Sequence, residues 1–305
     1  MNILVVGAGS IGCLFGGFFS LADHDVTLLG RGAQIEAIRQ KGLTLRAFDR
    51  ERTTKPKAIK SVKTLGKKQF DLILLSTKAY DVGQAMKQVA EHFGPESVVA
   101  LLQNGIGVED EIKHVADGHR VVRVLTSRGA NLERSGILRL NGTGPTVVGA
   151  IQRRVQSDAL KLTRELNTIG FATKFTNSLQ SAVWEKTLVN AAINPLGAIL
   201  GIKNGTLLNS EHTISTMTET IHEGRLVCEK YSVVLQNDPV QTALTTAKET
   251  SHNINSMLQD LRNGRRTEID YINGAIVRLG KRVGVPTPIN HCLTTLVKSL
   301  EITPK

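Results

Sequence analysis

The chain is poor in several things that would point to particular classes of protein. It has three cysteines in 305 residues, Cys13, Cys228 and Cys292, far apart and with no C-x-x-C pair. That excludes a disulfide framework or a cysteine metal site and fits a reducing, cytoplasmic compartment. A chain this long buries roughly three quarters of its unfolded surface and needs no covalent staple. The eight histidines show no H-x-x-x-H spacing and no serine sits in G-x-S-x-G, so neither a zinc hydrolase nor an α/β-hydrolase is expected. Residues 3 to 22 carry no charge, but they hold five glycines, follow no basic residue and contain no A-x-A cleavage pattern. This argues against a signal peptide or membrane span, and no later stretch is apolar enough to cross a bilayer.

What is present begins at residue 3. Ile3 to Val6 is a short apolar run typical of a strand buried on both faces. Gly7, Ala8, Gly9, Ser10, Ile11 and Gly12 then spell G-x-G-x-x-G. Leu14, Phe15, Phe18, Phe19 and Leu21 follow at helical spacing, and Asp25 to Leu29 reads as a second strand. A strand, glycine turn, helix and strand within about thirty residues is a dinucleotide-binding unit. The glycines permit a tight turn, close approach of backbone to a pyrophosphate, and close helix–strand packing, while the helix N-terminus favours phosphate. The second strand ends Leu28-Leu29-Gly30-Arg31, with no acid where an NAD site places one for the ribose 2′-hydroxyl. A guanidinium there pairs with a 2′-phosphate instead, so NADP (as NADPH) is the expected cofactor.

The formal net charge is +11, and residues 31 to 68 hold twelve basic side chains against three acidic ones. Aromatic residues make up only 4% of the chain, and Phe48 is the sole aromatic in that segment. Stacking platforms and nucleic-acid modules are therefore missing. The basic segment is expected to be a solvated face that attracts anionic small molecules, with no nucleic-acid or membrane partner.

Alternation continues beyond the first unit. Strands are predicted at 43–48, 70–76, 98–102 and 121–126, with further strands at 137–140, 146–149 and 171–175 and helices at 81–93 and 158–169. This predicts a parallel sheet with crossover helices over residues 1–176. Ligands gather beyond the carboxyl ends of such strands, where Thr77-Lys78 and Gln103-Asn104-Gly105 fall. From residue 177 to 305 the pattern is helical. The first helix there carries Lys186, Asn190 and Asn194 at i, i+4 and i+8, one cation and two amides on a single face amid apolar neighbours. Pro195 is expected to kink or interrupt this helix and to bias Asn194 away from α geometry.

Taken in order, GAGSIG, Lys78-Ala79, Gln103-Asn104-Gly105, Trp184-Glu185-Lys186 with Asn190 and Asn194-Pro195-Leu196, and Ser256-Met257-Leu258-Gln259-Asp260 with Thr267-Glu268-Ile269-Asp270 resemble the motifs of the ketopantoate reductase (2-dehydropantoate 2-reductase) family. The resemblance runs the whole length of the chain. It implies a Rossmann-type domain followed by an all-α domain, with the active site in the cleft between them. It also implies NADPH-dependent reduction of 2-dehydropantoate to (R)-pantoate, in pantothenate and coenzyme A biosynthesis. By matching motif, Lys186 resembles the proton donor, and Asn190, Asn194, Asn204 and Ser256 the substrate-binding residues. Arg31, Lys78, Asn104, Ala130 and Glu268 resemble cofactor contacts alongside Gly7 to Gly12. Asp81 departs from the pattern, because better-known members carry glutamine there, and an acid near a 2′-phosphate weakens preference for NADP. A reductase of another 2-keto acid and a non-catalytic nucleotide-sensing or nucleic-acid-binding protein stay open as alternatives. So does the oligomeric state, a homodimer included.

Overall fold

The computed structural model describes residues 1–47, 50–116 and 118–302. The chain forms two compact units: Met1–Gln103 with Glu109–Leu179, and Asn104–Val108 with everything from Gln180 onward. The first unit contains, in order, β1 (Asn2–Val6), α1 (Ser10–Leu21), β2 (Asp25–Leu29), α2 (Gly32–Lys41), β3 (Leu43–Ala47), β4 (Arg50–Thr54), β5 (Lys57–Ile59), β6 (Phe70–Leu75), α3 (Val82–Val89), β7 (Phe93–Leu101), β8 (Arg120–Arg134), β9 (Ile137–Ala150), α4 (Gln156–Thr168) and β10 (Thr173–Thr176). One sheet runs β4-β3-β9-β8-β7-β6-β1-β2-β5, with β10 also paired to β9.

The stretch β5-β2-β1-β6-β7-β8 is parallel throughout. The far half is mixed, since β8 with β9 and β3 with β4 are antiparallel. The two runs expected at 137–140 and 146–149 are one strand, β9. It spans the polar residues between them because it pairs along its length with the 15-residue β8. β4 and β5 were invisible to periodicity. β4 is Arg-Glu-Arg-Thr-Thr at the sheet margin, mostly exposed, and it pairs on one side only. Phe48, at the end of the strand expected over 43–48, lies outside the described residues.

β1 is buried from Ile3 to Val6 because it is central and covered on both faces. α1 lays Cys13, Leu14, Phe15 and Phe19 into the core, where Phe15 meets Phe171 with ring centroids 4.6 Å apart. The leucine and each phenylalanine contribute about 1.5–3 kcal/mol by leaving water. Cys13 donates from Sγ to the Ala8 carbonyl at 3.3 Å, and burial pushes its thiol up to about 12.

The second unit is helical: α5 (Leu179–Leu200, whose first residue groups with the first unit), α6 (Glu211–Lys230), α7 (Pro239–Glu249), α8 (Ser256–Arg262), α9 (Asn273–Val283) and α10 (Pro288–Ile302). α5 is buried along most of its length and brings Trp184 and Leu188 into a core with Val227, Leu258 and Ile276. The expected interruption does not occur: α5 continues through Pro195 as one helix, and Asn194 is helical. Among the described residues no helix is long and apolar enough to cross a membrane.

Ahead of α9, Asp270 accepts from Lys298 of α10 at 2.9 Å and from Arg266 at 3.0 Å. Burial raises the pKa of this carboxyl, but the Lys298 and Arg266 bonds outweigh it and hold the group below the usual carboxylate value. Its folded pKa is depressed, so its contribution is complete above the unfolded value near ~3.9 and is lost as pH falls through the folded one. Asp270→Asn should therefore lower stability at pH 7 by up to about 1 kcal/mol. The gap from wild type should close below about pH 4. Denaturant midpoints at neutral and acidic pH check this, and a gap that persists in acid would contradict it.

Candidate functional site

In the first unit, three successive strands end side by side. β1 pairs in parallel with β2 and with β6, so the turns after all three lie on the carboxyl edge of the sheet. Gly7 adopts φ +109°, a conformation L side chains rarely take, and a Cβ there would lie 2.9 Å from Ser76 C and Thr77 N. The Thr77-Lys78 turn therefore abuts the glycine turn. A Cβ on Gly30 would fall 2.7 Å from Ala8 Cβ, which puts the Gly30-Arg31 exit on the other flank. A Cβ on Gly12 would overlap the Gly7 carbonyl, so only glycine lets α1 start this close to β1.

Gly9 is different. It is exposed, and nothing stands within 4 Å of where its Cβ would be. It precedes Ser10 and Ile11 at the start of α1, which has no side-chain cap, so the first N–H groups of the helix point to an open cradle. Arg31, exposed at the start of α2, and Lys78, half-buried before the short 3-10 helix Ala79–Asp81, flank it. Backbone amides, a helix N-terminus and two cations suit a dinucleotide with several phosphate charges. Asp81 is exposed, and its N–H donates to the Lys78 carbonyl at 2.9 Å.

Gln103, at the end of β7, is buried and donates to the carbonyls of Leu75 (2.9 Å) and Thr77 (3.0 Å). Its own carbonyl accepts from Arg123, a fully buried arginine on β8 whose other arm meets Glu109 at 2.5 Å. Sequence reading passed over this anchor, because Arg123 stands inside an apolar strand pattern and its partners are distant in sequence. Ala130 pairs with Leu140 beside a register shift and packs on the sheet core. Neighbouring Arg128 stacks over Phe171 at 4.3 Å and donates to the Gly170 carbonyl at 2.6 Å. Burial lowers its pKa.

The second unit gathers the other candidates. Asn104 donates to Glu268 at 3.3 Å, and Glu268 is buried. Next to them the Ile106 N–H donates to the Tyr271 carbonyl at 2.8 Å, with Gly105 at φ +91° where a Cβ would overlap that carbonyl. Two residues 164 positions apart are thus brought together. On α5, Lys186 and Asn190 are half-buried and Asn194 is buried. Among the described residues the amides of Asn190 and Asn194 and the hydroxyl of Ser256 make no hydrogen bond. Asn204 donates from Nδ2 to Thr250 Oγ1 at 2.8 Å and from its N–H to the Asn253 carbonyl at 3.0 Å, while its buried Oδ1 has no partner. Asn255 caps α8 through Leu258 N at 2.9 Å, and a Cβ on Gly197 of α5 would overlap its Nδ2. The 253–256 loop therefore links Asn204 and Ser256 to the turn of α5 that follows Asn194. Polar groups without protein partners beside a lysine can orient a small molecule bearing a carbonyl and hydroxyls.

A family model described as ketopantoate reductase PanE/ApbA matches residues 3–153, and its C-terminal counterpart matches residues 178–301. A 2-dehydropantoate 2-reductase from Pyrococcus horikoshii is 36% identical over 99% of this chain and 98% of its own. Among solved structures, a PanE/ApbA family ketopantoate reductase from Ralstonia eutropha JMP134 is 28% identical, with TM-score 0.90 over 99% of this chain and 98% of that one. D-mandelate dehydrogenase in complex with NADH and anilino(oxo)acetate is also 28% identical, with TM-score 0.93 over the same shares. The chain belongs to the ketopantoate reductase family.

The two glycines of the turn should respond oppositely to a methyl group. Gly12→Ala, which drives Cβ into the Gly7 carbonyl, should destabilise by roughly 1–3 kcal/mol. Gly9→Ala, with open space around it, should stay within about 0.5 kcal/mol of wild type. Urea unfolding of both variants decides, and equal losses would remove the distinction.

Proposed function

We propose that the chain is an NADPH-dependent 2-dehydropantoate 2-reductase, serving pantothenate and coenzyme A biosynthesis in the cytoplasm. The row Lys186, Asn190 and Asn194 on α5 carries this reading, a cation followed by two amides that make no hydrogen bond among the described residues. The nicotinamide supplies the hydride when bound. Lys186 meets the ketone oxygen with its Nζ ammonium, offsets the developing alkoxide charge and delivers the proton. Asn190 and Asn194 hold the carbonyl and hydroxyl groups through their amides. Asn204, by its unused Oδ1, and Ser256 complete the substrate contacts. Gly7 to Gly12 receive the pyrophosphate, Arg31 pairs with the 2′-phosphate, and Lys78, Asn104, Ala130 and Glu268 line the rest of the cofactor. Residues 1–176 act as the cofactor-binding domain and 177–305 as the substrate domain.

A second reading has its own support. The likeness to D-mandelate dehydrogenase favours a reductase of a different 2-keto acid that accepts NADH. A panel of 2-keto acids assayed with both cofactors separates the two, and faster turnover of an aryl keto acid would select the second.

Arg31 gives the test of cofactor choice. A charge-assisted hydrogen bond is worth roughly 1.5–3 kcal/mol, so Arg31→Ala should raise KM for NADPH about tenfold to a hundredfold. KM for NADH should change little, and equal rises for both cofactors would refute the assignment.

Lys186→Ala should lower kcat with 2-dehydropantoate by roughly 10² to 10⁴ while leaving cofactor affinity near wild type. In the wild type, reduction should decline on the alkaline side as the ammonium is lost. Stopped-flow turnover and calorimetric cofactor titration read the two effects, and a variant with wild-type kcat would dismiss Lys186 as the acid.

A further inference from the structure

Asn273 has no part in the site described so far, yet it is fully buried and begins α9. Its position answers a defect in α5. Pro195 lies inside that helix, has no N–H, and crowds the carbonyl four residues back with its ring. The carbonyl so affected belongs to Ala191, which therefore lacks its helical donor. Asn273 Nδ2 donates to that oxygen at 3.1 Å and to Asn290 Oδ1 at 3.0 Å. Asn290 donates from Nδ2 to Glu223 at 2.7 Å and to the Thr220 carbonyl at 3.0 Å. The Glu223 carboxylate also accepts the N–H groups of Ile289 and Asn290, at 2.8 and 3.0 Å, in the first turn of α10. Asn273 Oδ1 has no partner among the described residues, so this position uses its donor end.

The same short segment reaches the other half of the site. Glu268 accepts from Asn104, and the Tyr271 carbonyl accepts from Ile106. Residues 268–273 thus join the Asn104 loop to the middle of α5, between Asn190 and Asn194. We propose that Asn273 is a positioning residue: by donating to the Ala191 carbonyl it carries α5 through Pro195 and keeps Lys186, Asn190 and Asn194 in register with Asn104 and Glu268. This rests on the reading that the α5 row handles the ketone.

The test uses the full-length protein with Asn273→Ala, Pro195→Ala and the double variant. Asn273→Ala should lower kcat roughly tenfold to a hundredfold, as slight misplacement of reacting groups does. KM for NADPH should stay within about twofold, because uniform binding is untouched. Backbone amides 196–200 should exchange with deuterium faster than in wild type. Pro195→Ala restores an N–H for the Ala191 carbonyl, so the double variant should recover both kcat and protection. Unchanged exchange in Asn273→Ala, or a defect that Pro195→Ala does not relieve, would overturn the proposal. If Asn273→Ala alone does not fold, folding of the double variant supports the proposal and its failure to fold counts against it. If wild type reduces no 2-keto acid, the functional reading fails, and the exchange and rescue measurements still decide the role of Asn273.

Discussion

Parallel pairing of β1 on both sides is the constraint from which the first unit follows. Parallel neighbours cannot be joined by a tight hairpin, so the chain must leave β1, cross the sheet as a helix and return. Every such return places the next carboxyl end on the same edge as the last. The glycine turn, the Gly30-Arg31 exit, the Thr77-Lys78 turn and the Gln103 anchor are consecutive consequences of that rule. Gly12 is the local condition for it, since α1 could not begin so near β1 with a side chain there. The polar edge is thus assembled by topology, while the apolar layers of α1 and the central strands provide the stability.

Much of this was legible because buried strands and amphipathic helices announce themselves by composition and period. β1, β2 and β6 stand out as apolar runs, and α3 shows Val82, Ala85, Met86 and Val89 on one face. Elements at the margin gave no such signal. β4 is charged because an unpaired edge is kept soluble by charge, and the resulting string resembles a loop. β9 looked like two strands because its central residues are partly exposed and polar, while its length is set by β8. The mixed far half of the sheet depends on pairings that no local pattern encodes.

The α5 row could be read directly, since a spacing of four puts side chains on one helix face. The glycine turn and Arg31 were legible in the same way, as a local motif, whereas Asn204, Ser256, Ala130 and Glu268 came from resemblance to a family, because no local pattern marks them. Asn104 and Glu268 illustrate the limit: each could be singled out separately, but nothing in the sequence says that they meet until the fold joins them. Pro195 misled for a related reason. Its local chemistry does oppose a helix, and the compensation comes from Asn273, 78 positions later, held in turn by Asn290 and Glu223. A sequence records the defect, but the remedy is tertiary.

The single tryptophan of the chain, Trp184, sits buried on α5 only two residues from Lys186. Its indole therefore serves as an intrinsic fluorophore attached to the helix of greatest functional interest, with no competing tryptophan signal from the sheet unit. The tryptophan emission of the unlabelled protein, excited apart from its three tyrosines, reports on the surroundings of α5, so packing changes in that helix can be followed in solution without introducing a probe.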